Sequence, residues 1–260
     1  MIFTDETASD KLSSVTKYAH EINKHLLELA YEWSSSKPIH FRPTSSGITL
    51  LSLSQEKPQI GKGGFGCAKE LRDGINTEYE AHIVNHKPPA RPTPEKQVQS
   101  FLIRNAYLKK GRMDILEQAC RQCGDEIELK FVTDEIPIPV IKDGKKGKIV
   151  CDLLALKTHE NGETQPVLIE LKSSRQKKEL IRQLTDYSGL IVELKTEFEA
   201  LYSALLWKAI MFKMPVEKWI VWPSAYGTFQ QDPRVSDPEL ADVRLIQYLP
   251  GFTFHADRTE

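Results

Sequence analysis

Apolar residues recur at helical spacing near the start of the chain, and the pattern predicts an amphipathic helix within residues 1–36. The positions that carry this pattern are Val15, Tyr18, Ala19, Ile22, Leu26, Leu29 and Ala30. Short strands are predicted at Ile48–Leu53 and at Tyr79–Val84, the latter from its alternation of polar and apolar residues. The proline-rich run 87–94 that follows is typical of a connector, because closely spaced prolines exclude both helix and central strand.

The middle of the chain predicts both helices and strands. Thr93-Pro94-Glu95 supplies an N-cap residue, a proline and a first-turn acid, so a helix is expected to begin there and run through Leu108. The other predicted elements are a helix at Met113–Gln122, strands at Ile127–Thr133, Ile149–Leu156 and Val167–Lys172, a long helix from Lys178, and a strand at Trp219–Trp222. This order predicts an α/β fold with a mixed central sheet flanked by helices, and an added α+β region at the N-terminus.

Three regions follow from the pattern: an N-terminal region at 1–90, a core at 91–225 and an acidic extension at 226–260. The composition, 40% hydrophobic and 27% charged, suits a protein with a packed core and excludes disordered and disulfide-scaffold classes. No apolar run approaches the ~18 residues of a membrane span, and Met1–Glu6 has no signal-peptide character. We therefore expect a soluble, cytoplasmic protein that does not bind a membrane.

Charge is distributed unevenly along the chain. The formal net charge of −1 argues by itself against a nucleic-acid partner, since such domains are usually basic. However, residues 91–225 carry 22 Lys and Arg against 19 Asp and Glu, while both flanking regions are acidic. Near-neutrality of the whole chain therefore does not exclude DNA as a partner.

Candidate chemistry lies on two neighbouring predicted strands. Asp152 falls in one of them, and Glu170 and Lys172 fall in the next, where period-2 alternation places both on one face. Buried carboxylates are costly unless they bind a metal or pair with a cation. Two such acids among apolar residues indicate a divalent cation held by oxygens, and a buried ion pair with Lys172 is the structural alternative.

The turn between these strands decides whether the two acids meet. A two-residue turn at Asn161-Gly162 would place Asp152 and Glu170 on opposite faces of the sheet. A three-residue loop, 160–162, with Gly162 in the left-handed conformation would instead set Asp152 directly opposite Glu170. We predict the three-residue loop. The tripeptide Glu-Leu-Lys also occurs at 128–130 and 193–195, but only the copy at 170–172 has an acid on an adjacent strand.

Residues 93–223 resemble the PD-(D/E)XK nuclease superfamily, whose pattern is an acid followed by acid-x-Lys on the next strand. The resemblance implies a restriction-endonuclease-like αβββαβ core in which Asp152, Glu170 and Lys172 are catalytic. It also implies a site for Mg²⁺, replaceable by Mn²⁺, formed by Asp152, Glu170, Leu171 and Glu95. For Glu95 an equally simple interpretation is an acid that complements the helix N-terminus. Cys151 stands where the family usually has proline.

The long helix carries a second similarity. Gln183-Leu184-Thr185-Asp186-Tyr187 looks like the Gln-x-x-x-Tyr motif of the RecB-like exonuclease branch, which implies that Gln183 and Tyr187 bind nucleic acid. Tyr187 also lies on the apolar stripe of the helix, so a core tyrosine is the alternative. The basic residues Arg175, Lys178 and Arg182 and the loop Lys142–Lys148 are suited to contacts with a phosphate backbone.

These features together predict a Mg²⁺-dependent deoxyribonuclease that serves DNA repair, recombination or defence against foreign DNA, including phage. Two alternatives remain open: a restriction-type endonuclease, and a non-catalytic nucleic-acid-binding or assembly module that keeps the fold. The region 1–90 is a candidate for binding a protein partner. The sequence does not determine polarity, DNA or RNA preference, or oligomeric state.

Overall fold

A mixed β-sheet flanked by helices forms the body of the protein. The computed structural model describes residues 7–22, 24–53, 59–63, 74–77, 79–81, 94–142, 144–174 and 178–257. Its coarse architecture agrees with the α/β fold predicted from the sequence. None of the helices in these ranges is long and apolar enough to cross a membrane.

The N-terminal part contains two helices where the sequence predicted one. Helix α1 spans Ala8–Glu21 and α2 spans Lys24–Trp33. An antiparallel sheet of three strands follows, in the order β1 (Ile39–Thr44), β2 (Gly47–Ser52) and β3 (Gln59–Gly63). Only β2 corresponds to a predicted strand.

The strand predicted at Tyr79–Val84 is wrong. Residues 74–77 and 79–81 are helical, and residues 82–84 lie outside the described part of the chain. Ile75 and Tyr79 are both buried while Glu80 and Ala81 are exposed. A spacing of four between buried residues fits one face of a helix, so the short alternation misled the sequence interpretation.

In the rest of the described chain, two helices and four strands lie close to predicted positions, and four further strands were not predicted. Two helices come first, α3 at Pro94–Leu108 and α4 at Asp114–Gln122. The strands of this part are β4 (Glu128–Asp134), β5 (Ile138–Lys142), β6 (Lys145–Ile149), β7 (Leu153–Thr158), β8 (Thr164–Leu171), β9 (Glu217–Pro223), β10 (Val243–Leu249) and β11 (Thr253–Ala256). A 3₁₀ turn spans Pro238–Leu240.

Six of these strands form the main sheet, in the order β11-β10-β9-β8-β7-β4. Strand β9 runs parallel to both β8 and β10, and the other neighbouring pairs are antiparallel. The region 226–260, predicted only as an acidic extension, therefore supplies two strands of the sheet.

The long helix predicted from Lys178 is two helices, α5 at Lys178–Glu193 and α6 at Lys195–Leu206. Its predicted apolar stripe is buried at every position except Leu194, which lies at the break and is partly buried. Helix α6 packs against α1 and β4, so the N-terminal helices and the sheet share one apolar core.

Candidate active site

The β7–β8 hairpin sets the register of the candidate site. Leu153 faces Ile169 at one end of the hairpin, and Thr158 faces Thr164 at the other. Residues 160–162 form the loop, and Gly162 adopts φ 82°, the left-handed conformation that glycine tolerates best. The predicted three-residue loop is confirmed, and the same register carried one residue further places Asp152 opposite Glu170.

Asp152 and Glu170 interact directly at this edge of the sheet. The N–H of Leu171 donates a 2.8 Å hydrogen bond to Oδ2 of Asp152, and the N–H of Asp152 donates to the Glu170 carboxylate. Burial raises the pKa of both acids, and the charge of Asp152 adds to the effect on Glu170, whose pKa rises to about 7. Two desolvated carboxylates therefore repel each other here.

Lys172 partly compensates this negative charge. Its Nζ lies 2.7 Å from Oε1 of Glu170. Burial lowers the pKa of Lys172, but the charge and hydrogen bond of Glu170, together with the charges of Asp152 and Glu95, outweigh burial, so the net shift is upward. The main chain of Lys172 is held on both sides, by Val221, whose oxygen accepts its N–H at 2.9 Å, and by the Tyr248 hydroxyl, which donates to its oxygen at 3.2 Å. Lys172 is thus fixed as a protonated ammonium beside the two acids.

Glu95 also reaches this edge of the sheet, from the first turn of α3. Its Oε1 accepts hydrogen bonds from the N–H of Ser173 at 2.9 Å and from the Ser173 hydroxyl at 3.1 Å. The Glu95 charge contributes to the raised pKa of Asp152. Glu95 therefore belongs to the site's electrostatics, and its carboxylate caps the end of β8.

The four predicted metal ligands are not drawn into one cluster. In the described part of the chain, no three His, Cys, Asp or Glu side chains are placed so that they hold one ion. Leu171 is 1% exposed and its side chain has no ligand atom, so only its main-chain oxygen is a possible ligand. The structure thus brings together Asp152 and Glu170 and leaves Glu95 bound to Ser173.

The pair Asp152 and Glu170 does fit a divalent cation of the Mg²⁺ type. Both groups offer hard oxygen atoms, and Mg²⁺ is commonly held by one or two carboxylates together with water and substrate phosphate. Burial and the neighbouring Asp152 charge raise the pKa of Glu170 because both disfavour its ionised form. A cation bound between the two acids would stabilise that ionised form.

Sequence reasoning missed a set of residues on α3 and β4 that supports Asp152. The Gln99 amide donates to the main-chain oxygen of Asp152 at 3.0 Å and to Oδ2 of Asp134 at 3.2 Å. Gln99 and Asp134 are 4% and 1% exposed. Lys96 forms an ion pair with Glu135, and its pKa is lowered by burial although the charges of Asp152 and Asp134 oppose that effect. Gln99 lies one helical turn after Glu95, which was the available sequence signal.

The N-terminal strand β1 supplies the partners of Asp134. His40 Nε2 lies 2.7 Å from Oδ1 of Asp134, and Arg42 Nε donates to the same oxygen at 2.8 Å. The other ring nitrogen of His40 lies 2.6 Å from the Tyr107 hydroxyl. Burial would raise the pKa of Asp134, but Arg42 and then His40 hold it well below its usual value. A buried polar network therefore links β1 to the main chain of Asp152.

The residues predicted to bind nucleic acid have different outcomes. Tyr187 is 1% exposed and its hydroxyl donates to the main-chain oxygen of Ile136 at 3.4 Å, so it is a core residue and not the predicted contact. Gln183 is half-buried and Arg182 is exposed on α5. Arg175 lies outside the described residues, and so does the side chain of Lys178, the first residue of α5.

Comparisons with known proteins give no family for the chain. No protein-family model, curated protein or solved structure matches it.

Proposed function

We propose that this protein is a divalent-metal-dependent DNA nuclease that hydrolyses phosphodiester bonds at Asp152, Glu170 and Lys172. The observation that carries the proposal is the carboxylate pair of the partly buried Asp152 and the buried Glu170, set face to face by the hairpin register with Lys172 beside it. With α4, β5, β6 and α6 as additions between them, the elements follow the order α3, β4, β7, β8, α5, β9, which supports the resemblance to the PD-(D/E)XK core. Repair, recombination and defence against foreign DNA are the processes that such an activity would serve.

Each residue has a distinct role in the proposed reaction. Asp152 and Glu170 would hold Mg²⁺, and the N–H of Leu171 keeps Oδ2 of Asp152 in place. When bound, Mg²⁺ supplies a water molecule with a lowered pKa and neutralises charge on the phosphate. Lys172 keeps a proton on Nζ, since its pKa is raised, and so offsets the negative charge that develops at the scissile phosphate. Tyr248 and Val221 hold the Lys172 main chain while this charge develops.

A purely structural ion pair explains less of this arrangement. Lys172 contacts Glu170, but Asp152 is a second, partly buried acid whose carboxylate accepts a hydrogen bond from a neutral main-chain N–H. Asp152 and Lys172 interact only through their charges. A pair evolved for stability alone has no need of the additional acid, because buried acids cost stability.

The test is cleavage of linear and circular DNA, single- and double-stranded, with Mg²⁺, Mn²⁺ or EDTA. Asp152→Ala is expected to lower the rate by about a thousandfold or more and Lys172→Ala by about a hundredfold, as for loss of a metal ligand and of one charge-stabilising group. Degradation of linear but not circular DNA would assign an exonuclease.

The third Glu-Leu-Lys copy provides matched controls. Glu193 is exposed on α5 and Lys195 pairs with Glu199 on α6, so Glu193→Ala and Lys195→Ala make the same kinds of change away from the site. Both variants are expected to cleave as the unmodified protein does. DNA binding without cleavage under every metal condition would refute the nuclease and establish the non-catalytic module in its place.

A further inference from the structure

Strands β5 and β6 form a two-stranded ribbon outside both larger sheets. Its pairs run from Ile138 opposite Ile149 to Lys142 opposite Lys145, and Gly144 in the turn has φ 71°. Five residue pairs at the usual rise of a strand give a length of about 16 Å. The ribbon was not predicted: the strand expected at Ile149–Leu156 is in fact the end of β6 and the start of β7, separated by residues 150–152.

The ribbon begins at the candidate site. Asp134 pairs with Leu153 at the end of the main sheet, and the N–H of Glu135 then donates to the Cys151 oxygen at 3.2 Å. Three residues further on, Ile138 pairs with Ile149 and the ribbon starts. Strands β4 and β7 are thus continued past the edge of the sheet by β5 and β6, and Asp152 lies in the break between the two pairs.

The surface of the ribbon is basic and carries an exposed aliphatic side chain. Lys145, Lys146 and Lys148 are exposed along β6. Ile141 is 76% exposed, and because it pairs with Lys146, the two side chains share a face. Lys148 follows Lys146 by two residues and so lies on that face as well. Its base is apolar, with Ile138 fully buried, and its strands also pack against α1 and α5, where Ile141 lines a shallow cavity together with Asp186 and Glu193.

We propose that the β5–β6 ribbon enters the major groove of double-stranded DNA and so makes duplex DNA the substrate of the candidate site. This inference rests on the proposed function and adds the kind of nucleic acid to it. The major groove of B-form DNA is about 12 Å wide and admits a two-stranded ribbon, whereas that of A-form RNA is too narrow for side chains to read. A single strand has no groove to receive it.

The side chains match the two kinds of surface that such a groove presents. By the same alternation Lys145 and Lys148 lie on opposite faces of the ribbon, so each is placed to contact phosphates on one wall of the groove, which gives affinity without sequence preference. Ile141, at the outer end of the ribbon, meets the groove floor, where the thymine methyl is the apolar group. The ribbon therefore positions the duplex relative to Asp152 and adds a preference for A·T pairs.

Binding measured in EDTA tests the ribbon separately from cleavage. Fluorescence anisotropy compares a DNA duplex, an RNA duplex of the same sequence and the single DNA strand. The unmodified protein is expected to bind the DNA duplex most tightly. The double variant Lys145→Glu/Lys148→Glu is expected to lose at least about tenfold in duplex-DNA affinity, and its slope of log affinity against log salt falls by about two. Lys109→Glu/Lys208→Glu, the same charge change at two exposed lysines elsewhere, is the matched control.

A second variant separates groove insertion from simple electrostatic attraction. Ile141→Ser keeps the charge and is expected to lower affinity for an A·T-rich duplex about fivefold while leaving a G·C-rich duplex unchanged. The inference would be overturned if Lys145→Glu/Lys148→Glu lost the same affinity for all three nucleic acids. It would also be overturned if this variant bound duplex DNA as tightly as the unmodified protein does.

Failure of the proposed function has a different signature. Ribbon-dependent duplex binding with no cleavage in any metal refutes the nuclease and leaves the ribbon's role standing. If metal-dependent cleavage of duplex DNA is unchanged in both ribbon variants, the nuclease stands and the ribbon's role is refuted.

Discussion

The Gln99 amide donates a 3.0 Å hydrogen bond to the main-chain oxygen of Asp152 and a second one, at 3.2 Å, to the carboxylate of Asp134. Asp152 is thus held from outside its own hairpin. Because residues 150–152 lie between two strands and outside both, this bond fixes a segment that no strand pairing includes.

Gln99→Leu tests whether this bond positions the site. The substitution keeps the size of a buried side chain but leaves the Asp152 oxygen without its donor, so the free energy of unfolding should fall by about 1–2 kcal/mol. A small displacement of Asp152 should also lower the DNA cleavage rate by about tenfold at unchanged DNA affinity. Gln118→Leu, which removes an exposed hydrogen bond to Asp114, is the control. A destabilised variant with a normal cleavage rate would assign Gln99 a structural role only.

Asp134→Asn tests the buried network between β1 and β4. Removing the charge leaves Arg42 without its buried partner, and the free energy of unfolding should fall by about 3 kcal/mol in urea titrations. The pKa of Asp134 is held low in the folded protein, so its stabilisation is present above about pH 4 and is lost as the pH falls further. The difference between variant and unmodified protein should therefore shrink in acid.

The control for this measurement is Asp242→Asn. Asp242 pairs with Lys218 at the surface, with its side chain 69% exposed. Exposed pairs contribute less than about 1 kcal/mol. An equal loss of stability in both variants would show that the Asp134 network is no stronger than a surface ion pair.

Glu170→Gln tests the electrostatic state of the carboxylate pair. The folded pKa of Glu170, about 7, is above its ordinary value because of burial and then the Asp152 charge, so ionisation costs folded-state stability as the pH rises. In EDTA at pH 8 the variant should be more stable than the unmodified protein by about 2 kcal/mol and unfold at a higher temperature, and the difference should fall below about 1 kcal/mol near pH 5. Added Mg²⁺ should stabilise the unmodified protein at pH 8 and not the variant.

Glu193→Gln serves as the control, since its carboxylate is exposed on α5. Calorimetry between pH 5 and pH 8 measures all three proteins. A Glu170→Gln protein that is less stable than the unmodified one at pH 8 would contradict the repulsion inferred between the two acids.

Loop length between β7 and β8 provides a geometric test. Gly162→Ala places a side chain at φ 82° with no atom within 4 Å of the new Cβ, so only backbone strain of about 1 kcal/mol is expected, with cleavage retained.

Deleting Asn161 shortens the loop by one residue and moves Glu170 to the opposite face of the sheet. Metal-dependent cleavage should then be lost, whereas Asn161→Ala should be active. Full activity in the deletion variant would show that the register does not control the site.

The local part of the site was predictable from the sequence, and the long-range part was not. Asp152, Glu170 and Lys172 lie on adjacent strands joined by a short loop, so strand alternation and one glycine sufficed to place them. His40, Arg42 and Tyr248 reach the site from elements far away in the chain, and no local pattern marks such contacts.

Two misread segments show the limits of local patterns. Tyr187 fits both the Gln-x-x-x-Tyr spacing and the apolar stripe of the helix. The structure places it in the core, where its hydroxyl donates to the Ile136 oxygen. The β5–β6 ribbon was interpreted as a basic loop, although Asp143-Gly144 between two alternating runs is a hairpin signal.

The distance along the chain between the residues that support the site also sets the order in which these supports are made during synthesis. His40 and Arg42 are synthesised well before their partner Asp134. The hydroxyl that holds Lys172, in contrast, belongs to Tyr248, which is synthesised 76 residues after Lys172. A nascent chain that has just released Lys172 therefore carries all three proposed catalytic side chains without that support. A translation product that stops before residue 248 lacks this hydrogen bond permanently, so Lys172 gains its full support only after Tyr248 has been made.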